Sequence, residues 1–97
     1  MCPTGVSQKT IQVLLVEDSR IVRLGLSAFL NNDPLINVAA EAESGEEAIQ
    51  IVSTLPIDLA VVDLGLPGIS GIETMARLKK IQPELRMIVL TSHQQRE

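Results

Sequence analysis

Three carboxylates stand where two apolar runs stop. Glu17 and Asp18 follow Ile11-Gln12-Val13-Leu14-Leu15-Val16, and Asp63 follows Asp58-Leu59-Ala60-Val61-Val62. If those runs are neighbouring parallel strands, their C-terminal ends bring all three acids to one sheet edge, the edge where open parallel sheets hold ligands. Like charges that close repel unless something positive sits among them. A hard divalent cation ringed by oxygens, with one carboxylate left reactive, suits chemistry on phosphate. Thr91 and Ser92, after the run Met87-Ile88-Val89-Leu90, add two hydroxyls to the same edge. Taken singly, each acid reads as well as a helix cap or the start of a turn. The set, with a fourth element joining it, reads as a site.

The elements that must position these residues alternate. Met1–Thr10, with Pro3, Gly5 and Ser7, reads as a flexible lead-in, and residues 11–97 as one domain. Ile11–Val16 is a buried strand, apolar on both faces in its second half. Ser19 caps a helix running to about Leu30, with Val22, Leu26, Phe29 and Leu30 on one face. Asn31-Asn32-Asp33-Pro34 stops it. Ile36–Ala42 is a less hydrophobic strand, suited to an edge. Ser44 and Glu47 form a capping box for a helix with Ala48, Ile51, Val52 and Leu55 on one stripe, closed by Pro56. Asp58–Asp63 is the third strand, Gly65–Gly71 a loop with three Gly and one Pro, Ile72–Ile81 the third helix, and Arg86–Thr91 the fourth strand. This order predicts an α/β fold, a parallel sheet with right-handed crossovers and helices on both faces.

Composition narrows the function classes. The 97 residues hold one Phe and no Tyr or Trp, so stacking of nucleic-acid bases on aromatic platforms is excluded. The net charge is −4 and Lys79-Lys80 is the longest basic run, which argues against grip on DNA phosphates by this chain. Both lysines read as a solvated helix face. The single cysteine, Cys2, allows no internal disulfide and fits a reducing compartment. No stretch approaches the ~20 apolar residues of a membrane span, and the first ten residues lack the apolar centre of a secretory signal. The expected location is cytoplasmic, without membrane contact.

Together these residues resemble the receiver domains of bacterial two-component response regulators. The resemblance spans roughly Gln12 to His93 and rests on Val-Leu-Leu-Val-Glu17-Asp18, Val-Val-Asp63-Leu-Gly-Leu-Pro67-Gly68-Ile-Ser-Gly71 and Ile-Val-Leu-Thr91-Ser92. It implies a flavodoxin-like, CheY-like fold with sheet order 2-1-3-4-5 and a Mg²⁺-dependent phosphoacceptor. By position, Asp63 would be the aspartate phosphorylated by a partner histidine kinase. Asp18 would bind Mg²⁺ directly, Glu17 through water, and Gly65 through its backbone carbonyl. Thr91 would be the switch hydroxyl drawn toward the new phosphoryl oxygens, moving the loop after the fourth strand. The residues around Asp63 resemble receivers joined to helix-turn-helix output domains, so DNA would be reached only through a domain outside these residues.

The sequence departs from that pattern at its C-terminal end. The family carries a fifth strand ending in a lysine that contacts the phosphoryl group, and neither falls within the 97 residues. The expectation is a chain cut short after the fourth strand, a piece of a longer regulator. Mg²⁺ binding should then survive better than phosphorylation, because a charge-assisted contact in the class worth ~1.5–3 kcal/mol is missing. The apolar fourth strand would expose an edge open to self-association. Gly65, two positions after Asp63, either leaves the phosphoryl group open to water or serves the turn. His93 is either a neighbour of the site or a solvated loop residue.

Other functions fit less well. An aspartyl phosphatase or phosphotransferase wants a second acid two residues after the nucleophile, where this chain has Gly65. A nucleotide-binding fold wants glycine after the first strand, where this chain has Glu17-Asp18-Ser19. The expectation is a signalling module rather than an enzyme. A phosphate-independent interaction fragment with the same fold is the alternative.

Overall fold

The structure, a computed structural model, describes residues 10–90. The elements run β1 (Ile11–Val16), α1 (Arg20–Asn31), β2 (Ile36–Ala42), α2 (Gly45–Thr54), β3 (Leu59–Asp63), α3 (Gly71–Ile81) and β4 (Arg86–Leu90). All strand pairs are parallel, in the order β2-β1-β3-β4. The order agrees with the expected one as far as the described strands go, and the less hydrophobic β2 does lie at an edge.

The central strands carry the core. Val13, Leu14, Leu15 and Val16 of β1 are fully buried, as are Ala60 and Val62 of β3. Alternation splits them between two faces. Leu14, Val16, Ala60 and Val62 pack with Ala48 and Val52 of α2, and with Leu78 of α3. Val13, Leu15 and Val61 face the other way, against Leu26 and Leu30 of α1.

Local chemistry sets the helix starts. Ser19, Ser44 and Ser70 each stand in extended backbone and accept a hydrogen bond from the amide three residues on: Val22, Glu47 and Glu73. The reciprocal half of the box at α2 differs from expectation. Glu47 Oε1 accepts from the Glu43 amide at 2.7 Å rather than from that of Ser44. Two glycines are required by backbone geometry. Gly68 sits at φ 74°. Gly71 starts α3 so close to β3 that a Cβ would meet the Asp63 carbonyl oxygen at 2.5 Å and Leu64 Cα at 2.7 Å.

The face expected for α1 is corrected. Phe29 is 75% exposed and Val22 is also exposed, whereas Arg23 is buried. The inward stripe is Arg23, Leu26 and Leu30, at helical spacing. Leu55, expected on the buried stripe of α2, follows the helix as its C-cap and is exposed. Among the described residues no helix is long and apolar enough to cross a membrane. Met1 to Lys9, including Cys2, and Thr91 to Glu97, including Ser92 and His93, lie outside the described residues.

A candidate metal centre at the strand ends

Register builds the acidic site. Val16 pairs with Val62 across β1 and β3, so Glu17 and Asp63 leave neighbouring strands at the same height. On the far side of β3, Asp63 pairs with Leu90 of β4. One carboxylate oxygen from each of Glu17, Asp18 and Asp63 lies within 4.8 Å of the other two. Glu17 and Asp63 are buried, at 5% and 4% exposure. Asp18 is exposed and opens the cluster to solvent.

Hydrogen bonds fix the cluster. Glu17 Oε2 accepts from the Ser19 amide at 2.9 Å, just before the first turn of α1. Asp63 Oδ1 accepts from the Gly65 amide at 3.1 Å. Burial raises the Glu17 carboxyl above the usual carboxylate range, and the charge of Asp63 pushes the same way while the Ser19 amide opposes it. Among the described residues, none of the ion pairs involves Glu17, Asp18 or Asp63.

The donor set fits a small hard cation. Oxygens on opposite sides of a Mg²⁺ are about 4 Å apart, since each bond is about 2.0–2.1 Å. Three carboxylate oxygens within 4.8 Å of one another are close enough to surround one such ion. The expected fourth member, Gly65, is at the rim and contacts Asp63 through its N–H. Its φ is not in the left-handed region, so the turn does not require glycine there. Thr91, expected at this edge, lies outside the described residues.

Sequence reading missed one residue here. Arg23 Nη1 donates to the backbone carbonyl of Glu17 at 2.8 Å, and its Nε donates to Glu41 Oε1 at 3.1 Å. The available signal was a charged residue four positions after the Ser19 cap, on the helix stripe that also holds Leu26 and Leu30.

Known proteins resemble this chain in sequence and fold. A family model described as the response regulator receiver domain matches residues 13–97. Response regulator protein VraR of Staphylococcus aureus is 39% identical over 83 residues, covering 86% of this chain and 40% of VraR. The chain thus spans about two fifths of the length of the curated relatives it matches. A LuxR-family two-component response regulator from Aurantimonas sp. SI85-9A1 superposes with TM-score 0.83 at 34% identity, over 89% of this chain and 61% of that one. TrrA of Thermotoga maritima, solved in complex with Mg(2+)-BeF, superposes with TM-score 0.78 at 29% identity, over 87% and 71%. With its fold, its strand-end acids and this match over most of its length, the chain belongs to the response regulator receiver domain family.

Proposed function

We propose that this chain is the phosphoacceptor module of a two-component response regulator, with Asp63 as the residue phosphorylated by a partner histidine kinase. The observation that supports this most is the convergence of Glu17, Asp18 and Asp63 within 4.8 Å. Asp18 and Asp63 would hold Mg²⁺ directly, Glu17 through water, and Gly65 through its carbonyl. When bound, Mg²⁺ offsets the repulsion between an incoming phosphoryl group and the acids.

The chain's own groups supply the rest. An Asp63 carboxylate oxygen forms the new bond to phosphorus as the phosphorus–nitrogen bond to the kinase histidine breaks, and the histidine nitrogen keeps that electron pair. The Gly65 amide, on Oδ1, orients the carboxylate for in-line attack. Burial of Asp63 restricts access of competing water. Thr91 is proposed as the hydroxyl that senses the product. A kinase partner implies a cytoplasmic setting, and transcriptional output would come through a DNA-binding domain beyond these residues.

The test is incubation with a small phosphodonor and Mg²⁺, read by intact mass. One added phosphoryl group, lost in Asp63→Asn and on removal of Mg²⁺, is the expected result. Unchanged mass in the wild type, together with no amide shifts on adding beryllofluoride and Mg²⁺, would favour the phosphate-independent interaction module.

A further inference from the structure

Among the described residues outside the acid cluster, Arg23 makes three polar contacts from one buried side chain. It projects inward from α1, its side chain only 10% exposed. Its Nη1 donates to the Glu17 carbonyl at 2.8 Å, its Nε to Glu41 Oε1 at 3.1 Å, and its Nη2 lies 3.5 Å from Glu43 Oε2. Glu41 belongs to β2 and Glu43 follows its last residue. One planar guanidinium therefore joins the end of β1, the first turn of α1 and the end of β2.

Burying a guanidinium is costly unless it is fully paired. Here the pairing falls on the backbone of the residue that carries an acid of the site. The Glu17 amide is itself bonded to the Ala42 carbonyl of β2 at 3.0 Å. Both main-chain polar groups of Glu17 are thus tied, one directly to β2 and one to β2 through Arg23. What remains free to turn is the side chain, and its Oε2 is held by the Ser19 amide. Arg23 does not offset the charge of the acids, because its partners are a carbonyl and the carboxylates of Glu41 and Glu43.

From this geometry we infer that Arg23 is a positioning residue for the acidic site: it fixes the Glu17-Asp18 backbone against β2 so that both carboxylates face Asp63. The inference rests on the proposed function for its consequence, cation affinity, but not for the contact itself. Lysine does not substitute well, since one ammonium lacks the planar fork that spans a carbonyl and two carboxylates.

The test uses the ¹⁵N-labelled chain and two independent readouts. Without metal, amide hydrogen exchange reports the Glu17 and Ser19 amides against the Gln82 amide, bonded to Leu78 at the far end of α3. A Mg²⁺ titration followed by amide shifts reports affinity of the folded protein. In Arg23→Ala, exchange at Glu17 and Ser19 should rise at least ~10-fold over that at Gln82, with Mg²⁺ affinity falling ~10–100-fold, the range for groups that orient metal ligands. Arg23→Lys should recover only part of both. The double variant Glu41→Gln/Glu43→Gln, which keeps the bond to Glu17 but loosens it from β2, should fall between, and it carries the test if Arg23→Ala does not fold. Unchanged exchange at Glu17 and Ser19, or a rise shared equally by Gln82, overturns the inference. Loosened Glu17 and Ser19 amides in a protein whose wild type shows no Mg²⁺ response would uphold the contact and overturn the proposed function instead.

Discussion

Glu17 and Asp63 lie on neighbouring strands with carboxylate oxygens inside 4.8 Å of each other, both nearly excluded from solvent. Burial, and after it the charge of Asp63, raises the Glu17 carboxyl above its ordinary value, so its ionised form is disfavoured in the metal-free fold. A raised folded-state value means that the stabilising contribution is present in full below the unfolded value, near 4.5, and is lost as pH rises through the folded value. Glu17→Gln keeps an oxygen for the Ser19 amide and removes the charge. At pH 7 without divalent cations it should melt above wild type, and the difference should shrink as pH falls below the unfolded value near 4.5. Thermal unfolding across pH checks this; a variant less stable than wild type at pH 7 would contradict the assignment.

Exposure and hydrogen bonding separate the acids in their expected response to a cation. Asp18 is the solvent-facing acid, whereas Glu17 is turned back onto Ser19. Asp18→Asn and Asp63→Asn, at the two proposed direct ligands, should each weaken Mg²⁺ binding more than Glu17→Gln. Calorimetric titration measures all three.

Glycines give a graded series. Gly71→Ala places a Cβ against the Asp63 carbonyl and Leu64 Cα, both backbone, and should cost more than about 2 kcal/mol while also disturbing the acceptor. Gly25→Ala, in α1 with nothing within 4 Å of the added carbon, should stabilise by ~0.5–1 kcal/mol. Gly65→Ala meets only Asp63 carboxylate oxygens at 3.8 and 3.9 Å, so the fold should be unaffected. A larger side chain there should slow loss of the phosphoryl group. Denaturant melts and the decay of the phosphorylated mass test the series.

Burial separates two large apolar residues. Leu78 is fully buried and Leu78→Ala should cost ~2–5 kcal/mol. Phe29, 75% exposed, should lose under ~0.5 kcal/mol in Phe29→Ala despite its size. Denaturant midpoints give the comparison directly.

On β4, Ile88 and Val89 are about half exposed, and among the described residues its outer edge has no strand partner. We propose that the isolated chain self-associates along Arg86–Leu90. Val89→Lys should lower the average mass seen by light scattering at high concentration. A wild-type monomer at the same concentration would refute the proposal.

Much of this was readable from residue order. The apolar runs of β1 and β3, the serine caps and the Pro and Gly breaks are local signals, because each depends on neighbours within a few positions. Those signals place the acids at strand ends and imply a parallel sheet. The α1 surface was misread for an equally physical reason: hydrophobicity assigns Phe29 and Val22 inward. The orientation of a helix on a sheet, however, is decided by the partners it meets, here Glu41, Glu43 and the Glu17 carbonyl.

The chain alone thus determined the element order and the identity of the three acids, since both follow from local pattern. Only tertiary structure decided that Val16 stands beside Val62, which brings Glu17 level with Asp63. It also decided that an arginine of α1 ties down the residue carrying one of those acids. Register and ion pairing join residues remote in sequence, and no local pattern encodes a distance between them.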